Sequence, residues 1–260
     1  MSFTGSIPEF YDRYLGPFMF DAYARDMARR LFATPAAVVL ETACGTGIVT
    51  RHLREALPPD VRLVATDLND AMIDFARGHL RGLDVHWRAA DACELPFKDG
   101  TFDAVVCQFG MMFLPDKHKG FAEARRVLRP GGAFLANCWC PLSDNPVAGA
   151  VHETAGALYP DNPPRFLETP YGFGDPATLS HLAREGGFAG AEVERVELTG
   201  RAPSARDPVT GFVKGTPLST QLAERGADPD AVIALTLERM KAPAAGPFTS
   251  PLAAVVLRAT

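Results

Sequence analysis

A glycine turn between a short apolar run and a helical pattern constrains this chain more than any other stretch. It reads Val38-Val39-Leu40-Glu41-Thr42-Ala43-Cys44-Gly45-Thr46-Gly47-Ile48-Val49-Thr50. The apolar run from Ala36 to Leu40 follows Pro35 and precedes the glycines, a pattern that suits a buried parallel strand. It ends on a carboxylate, Glu41, and turns into a helical pattern from Ile48 to Leu57. Strand, glycine turn and helix in that order gather backbone N–H groups and the positive end of a helix dipole at one point. Gly45 and Gly47 let the backbone approach a ligand where a Cβ would collide. No Gly-Lys-Ser/Thr follows, which excludes a phosphate-binding P-loop. The dinucleotide fingerprint Gly-x-Gly-x-x-Gly fits poorly, because its last glycine would fall on Thr50. Glu41 is the decisive residue: a carboxylate at the strand end repels a pyrophosphate and suits a ligand with an ammonium group.

The pattern recurs downstream. Val61–Asp67 reads as a second strand that also ends on an acid, and Asp67 lies 26 residues after Glu41. Doubly wound folds place a ribose-binding acid near that offset, and a carboxylate can accept both ribose hydroxyls. Asn69 or Asp70 then caps a helix that carries Met72, Ile73, Phe75 and Ala76. Asp84–Ala90 reads as the third strand, followed by Asp91-Ala92-Cys93-Glu94-Leu95-Pro96-Phe97. Thr101–Gly110 is the fourth strand and its exit. Asp103 is read as fixing the start of that strand. Gln108 and Phe109 stand at its C-terminal end, where ligands collect in open α/β sheets. Pro130-Gly131-Gly132 is a breaker before a fifth strand, Ala133–Trp139.

S-adenosylmethionine carries both an ammonium and a sulfonium, and the glycine turn resembles motif I of the class I S-adenosylmethionine-dependent methyltransferases, Glu/Asp-x-Gly-x-Gly-x-Gly. Ala43 stands at the first glycine. Asp67-Leu68-Asn69-Asp70-Ala71-Met72 resembles the family's motif II, Asp-x-Ser-x-x-Met. Asp91 to Phe97 resembles its Asp-Ala-x-x-Leu-Pro-Phe, and Arg126-Val127-Leu128-Arg129-Pro130-Gly131-Gly132 its turn before strand five. The likeness is good over residues 36–140 and loose beyond, and is closest to the branch with the ubiquinone/menaquinone-biosynthesis methyltransferases. The resemblance implies S-adenosylmethionine as cofactor, S-adenosylhomocysteine as product and a small-molecule methyl acceptor. It implies Glu41 toward the methionine end, Ala43, Gly45 and Gly47 at the close approach, and Asp67 on the ribose. Leu68 and Met72 fall in motif II, Leu68 beside the adenine. Asp91 and Ala92 meet the adenine edge, Gln108 is placed near the sulfonium, and Phe109 beside it is a further cofactor candidate. It also implies a doubly wound, seven-stranded α/β Rossmann-like sheet, order 3-2-1-4-5-7-6, with helical lid insertions.

The remaining segments say less. Asp21–Phe32 has a helical period, and before it Phe10, Tyr11, Tyr14, Phe18 and Phe20 form an aromatic approach. These rings either pack the helix onto the sheet or, for Tyr11 or Tyr14, cover a cationic ligand. His118, at the start of a helix Lys117–Leu128, and Tyr14 are the candidates for a base. The expected organisation is an N-terminal segment, 1–35, a cofactor core, 36–140, and a remainder, 141–260, with lid insertions at 141–174 and 200–247. Within the remainder fall helices at Val147–Leu158, Asp175–Glu185, Asp207–Lys214 and Pro229–Met240. Strand six is Ala191–Leu198, and Pro251–Arg258 is a last strand antiparallel to the rest.

A hydrophobic content of 47% over 260 residues supports a full core. No apolar run approaches the ~20 residues of a membrane span, and Met1–Gly5 shows no leader pattern. A net charge of −5 argues against a nucleic-acid surface. Asn162-Pro163-Pro164-Arg165 lacks the aromatic, and the position, of the motif in amino-directed DNA methyltransferases. Five cysteines without zinc spacing read as reduced thiols of a cytoplasmic protein, and no metal site is expected. A homodimer is compatible with the sequence. Two other readings stay open: a non-catalytic S-adenosylmethionine-binding protein and a nicotinamide-dinucleotide oxidoreductase.

Overall fold

The computed structural model describes residues 7–32, 36–243 and 245–260. Met1–Gly5, read for a leader, and Pro35, read as the breaker before the first strand, lie outside them. The strands are β1 (Val38–Glu41), β2 (Arg62–Asp67), β3 (His86–Ala89), β4 (Phe102–Gln108), β5 (Leu128–Trp139), β6 (Ala191–Ala202) and β7 (Phe248–Ala259). They form one seven-stranded sheet in the order β3-β2-β1-β4-β5-β7-β6. β1 pairs parallel with β2 and β4, and β2 with β3. β4 pairs parallel with β5, and β7 runs antiparallel to β5, as the sequence suggests.

The chain divides into two compact units. One takes the chain up to Ala22, Cys140–Gly172 and Glu197–Ala253, and the other Tyr23–Trp139, Phe173–Val196 and Ala254–Thr260. The second holds most of the sheet. The short α1 (Ile7–Phe10) belongs to the first unit; the helices of the second are α2 (Asp21–Leu31) from Tyr23 on, α3 (Ile48–Ala56), α4 (Asp70–His79) and α5 (Lys117–Val127). The apolar run of β1 is buried because both sheet faces are covered. On one face Ala24, Met27 and Leu31 of α2 and Val49 and Leu53 of α3 pack on Val39, Leu63, Val106 and Leu135. Successive strand residues point to opposite faces. Phe134, the neighbour of Leu135, meets Phe121 of α5 edge-on at 5.7 Å and stacks on Phe188 at 5.9 Å.

β5 begins earlier than the breaker predicts. Phe102 pairs with Leu128 and Ala104 with Ala133, so the register shifts between them. The Pro-Gly-Gly stretch is accommodated as a bulge, with Gly131 at φ 80°.

Asp103 secures the start of β1. Its Oδ2 accepts from Ala37 N and Val38 N at 2.9 and 2.8 Å, and its Oδ1 from Arg129 at 2.6 Å. Burial works against the charge, but these donors prevail and hold the carboxyl below its ordinary range. That contribution is present above the usual carboxylate range and is lost as pH falls below it. Asp103→Ala is expected to destabilise the fold by about 1–2 kcal/mol, the partial exposure of the group limiting the loss. Chemical denaturation checks this, and an unchanged midpoint would contradict it.

The other unit holds the helices α6 (Pro146–Leu158), α8 (Arg206–Lys214), α9 (Leu218–Ala223) and α10 (Pro229–Arg239), while α7 (Pro176–Glu185) belongs with the sheet. The aromatic approach is itself helical. Tyr11–Phe20 winds as a π-helix containing Pro17, and Asp21 N–H donates to Gly16 O five residues back. Tyr11 stacks on Phe20 at 4.7 Å, and Phe18 on Phe248 at 6.4 Å. α9 escapes sequence periodicity because it is so short; Leu218 and Leu222 are its buried residues. Among the described residues no helix is long and apolar enough to cross a membrane.

Candidate functional site

The glycine turn is fastened from both neighbouring strands. Thr42 N–H donates to Val106 O and Cys44 N–H to Thr66 O, each at 2.9 Å. Ala43, Gly45 and Gly47 all have positive φ, 53°, 56° and 85°. The two glycines do different work. A Cβ on Gly47 would lie 2.8 Å from Leu80 Cδ1 and 3.1 Å from Ala76 Cβ, so its bareness serves packing against α4. A Cβ on Gly45 would meet nothing within 4 Å, so the backbone there has an open side. Between them the Thr46 hydroxyl oxygen is buried with no hydrogen-bond partner.

Glu41 is 1% exposed. Its carboxyl accepts from Thr50 Oγ1 at 2.6 Å and also from the Thr50 backbone N–H, which makes it a cap for the first turn of α3. Burial, with Asp67 close by, pushes its pKa up to about 8. The acid is thus set beneath the turn rather than standing free at the strand end. Thr50 was legible only as the residue that spoils a dinucleotide fingerprint; its hydroxyl is what holds Glu41.

Asp67 ends β2 and reaches across to the turn. Its Oδ2 accepts from Gly45 N and its Oδ1 from Asn69 N, both at 2.9 Å. Burial raises its pKa against those two bonds. Each carboxylate oxygen can accept a second hydrogen bond. Leu68, next in the chain, is 72% exposed, while Met72 is buried in α4. Asn69 is the cap of α4, accepting from Ala71 N at 3.0 Å. At the end of β3 Asp91 accepts from Cys93 N at 2.7 Å, and Ala92 is half-buried beside it. Arg126 fixes the loop that follows through Leu95 O and Phe97 O, at 2.9 and 2.8 Å.

β4 ends in a second strained turn. Phe109 has φ 52°, and its N–H is shared between the main-chain O and side-chain Oδ1 of buried Asn137, at 3.2 and 2.9 Å. The Asn137 amide also lies 3.5 Å from Gln108 Oε1. The Phe109 ring stacks on Trp139 at 3.7 Å, with Tyr23 edge-on to both. Phe109 is therefore 5% exposed, and its ring belongs to this aromatic cluster. Gln108, half-buried, is left as the side chain at the strand tip. The sequence places Asn137, with Cys138 and Trp139, at the ligand-facing end of the fifth strand, but no motif marks its bond to Phe109.

Glu41, Gly45, Asp67, Asp91 and Gln108 are brought to the C-terminal ends of β1 to β4. The two base candidates, His118 and Tyr14, have partners of their own. His118 is an exposed residue of α5 whose Nδ1 lies 2.9 Å from a Glu185 carboxylate oxygen; the other oxygen is 3.2 Å from His181. Tyr14 lies in the other unit, stacked on Phe10 at 5.9 Å with the Arg13 guanidinium 5.2 Å from its ring centre. Tyr11 lies in that unit as well, on Phe20.

The site fits a cationic nucleoside. Among the described residues, the hydrogen bonds to the carboxyls of Glu41, Asp67 and Asp91 come from Thr50 and backbone N–H groups, none from a lysine or arginine. Burial raises the pKa of Glu41 and Asp67, and a positive ligand beside them would favour their ionised forms. The orphaned Thr46 hydroxyl and the open side of Gly45 mark the same turn. Among the described residues no group of three or more His, Cys, Asp or Glu is placed to hold a metal.

A family model described as a methyltransferase domain matches residues 39–132. The demethylmenaquinone methyltransferase of Deinococcus radiodurans is 32% identical over 64% of this chain and 73% of its own length. The malonyl-[acyl-carrier protein] O-methyltransferase of Hahella chejuensis is 37% identical over 38% of this chain, but the match spans only 35% of that protein. Among solved structures, the YcgJ protein of Bacillus subtilis superposes with a TM-score of 0.60 at 19% identity, covering 92% of this chain and 97% of that one. A likeness at that identity speaks for the fold. With the sheet order, the glycine turn and the acids at three strand ends, these matches establish that the chain belongs to the class I S-adenosylmethionine-dependent methyltransferases.

Proposed function

We propose that the chain transfers a methyl group from S-adenosylmethionine to a small organic acceptor. The observation that carries this reading is the set of three carboxyls, Glu41, Asp67 and Asp91, held by neutral donors around an open glycine turn. Asp67 would take the ribose hydroxyls on the lone pairs its backbone bonds leave over. Leu68 would lie against the adenine, and Asp91 and Ala92 along its edge. Glu41, protonated up to about pH 8 without a ligand, would ionise beneath a cationic amino-acid end while holding α3 in place. Gln108 would stand nearest the reacting centre.

The bound cofactor supplies an electrophilic methyl group on a sulfonium. The protein's part is then to align the acceptor and exclude water. His118 is engaged with Glu185 and Tyr14 stacks on Phe10, and neither is given the role of base in this reading. An acceptor whose nucleophilic atom is already unprotonated, or acidic enough to ionise in solution, suits such a site.

The names of the relatives guide the choice of acceptor. One is a demethylmenaquinone methyltransferase and another methylates a malonyl group on a carrier protein at oxygen. The first match is the longer, so a hydroquinone ring is the first acceptor to try. The test is formation of S-adenosylhomocysteine from S-adenosylmethionine with hydroquinones, phenols, amines and thiols. Acceptor-dependent turnover with one class supports the reading. Binding of the cofactor with no turnover across the panel would favour a non-catalytic binding protein.

A further inference from the structure

The exit of β4 and the glycine turn after β1 touch at one point. A Cβ on Gly110 would lie 2.5 Å from Ala43 Cβ and 2.8 Å from Cys107 Sγ, but 3.9 Å from Ala43 Cα. The clash is with the methyl group of Ala43 and the thiol, not with the backbone of the turn. Ala43 stands where the resemblance places a glycine, and Gly110 provides the space that this methyl group occupies.

Each partner is held firmly from elsewhere. Ala43 and Phe109 both sit in the left-handed region, rarely adopted by residues with a Cβ, at φ 53° and 52°. Asn137 holds Phe109 through its N–H, and Trp139 holds its ring. The turn is held by Val106 O, Thr66 O and the Asp67 carboxylate. Neither side can yield freely, so a larger group at position 110 must displace the glycine turn or the strand exit. Strained backbone that the surroundings dictate is a pointer to function. Here two such residues flank one contact under the turn.

We propose that Gly110 is a positioning residue for cofactor binding, whose bare Cα sets the seat of the glycine turn through its contact with Ala43. This rests on the reading of that turn as the S-adenosylmethionine site. Gly110 itself touches no substrate; it acts through Ala43 and so through Gly45 and the N–H that Asp67 holds.

The experiment is calorimetric titration with S-adenosylhomocysteine of wild type, Gly110→Ala, Ala43→Gly/Gly110→Ala and Cys107→Ala/Gly110→Ala, with thermal melts of each. Gly110→Ala is expected to raise Kd by about tenfold or more. Ala43→Gly in the same chain is expected to bring it back to within about threefold of wild type. Cys107→Ala relieves the other close contact, which reaches the turn through the Thr42 side chain and not through Ala43, and is expected to leave binding weak. A merely structural role for Gly110 would let either second change restore binding. The proposal is overturned if Gly110→Ala binds like wild type, or if Cys107→Ala restores affinity as fully as Ala43→Gly. Should Gly110→Ala fail to fold, the two double variants decide by the same contrast, and an Ala43→Gly change that restores neither folding nor binding overturns it. Wild-type protein that ignores S-adenosylhomocysteine would instead overturn the reading of the site.

Discussion

Glu41→Gln is expected to remove a loss of stability that the wild-type protein suffers between pH 4.5 and pH 8. In the unfolded chain Glu41 titrates near 4.5, whereas in the folded protein burial pushes it up to about 8. Between those values the folded state holds a proton that the unfolded state has released. Stability is therefore greatest below the unfolded pKa and declines as pH rises toward the folded one, then levels off. The size of the effect is a few kcal/mol, at about 1.4 kcal/mol per unit of pKa difference. Asp67, also raised by burial, adds to it with the same sign. Asp103 and Glu123, whose carboxyls are lowered, act the other way and only as pH falls toward the acid limit. Glutamine keeps an acceptor for Thr50 and cannot ionise. Denaturant melts at pH 5, 7 and 9 should show wild type weakening with pH while Glu41→Gln stays nearly level. Parallel profiles for the two proteins would refute the burial argument.

The second large effect concerns Asp67. Asp67→Asn is expected to weaken S-adenosylhomocysteine binding by roughly 30-fold, about 2 kcal/mol, by removing charge-assisted bonds to the ribose. Alanine is the poorer probe. It would strand the Gly45 and Asn69 N–H groups that the carboxylate now satisfies, and so mix loss of ligand contacts with collapse of the turn. Asparagine keeps an acceptor oxygen for one of them. Affinity is read by titration calorimetry and the fold by a thermal melt. A folded Asp67→Asn protein with wild-type affinity would remove Asp67 from the ribose.

The sheet was legible because its strands obey simple rules. β1 is an apolar run that must be buried on both faces; Asp103, expected to fix the start of its own strand β4, holds the start of β1 instead. What stayed hidden depends on partners far apart in the chain. That Glu41 lies under the turn requires Thr50 on the following helix. That the Phe109 ring stacks on Trp139 with Tyr23 edge-on requires knowing where β5 and α2 end up. Gly47 and Gly45 look equivalent in sequence, yet one is demanded by Leu80 and the other opens outward. The carboxylate partner of His118, a candidate base at a helix start, is 67 residues away. The π-helix at Tyr11–Phe20 has no period of its own to read.

The most direct test of the whole account is calorimetric titration of the purified protein with S-adenosylhomocysteine, with NADH run alongside. Saturable binding of S-adenosylhomocysteine in the micromolar range or tighter, with no heat from NADH, is the result predicted from the neutral-donor carboxyls at the strand ends. Saturable binding of NADH with none of S-adenosylhomocysteine would contradict it.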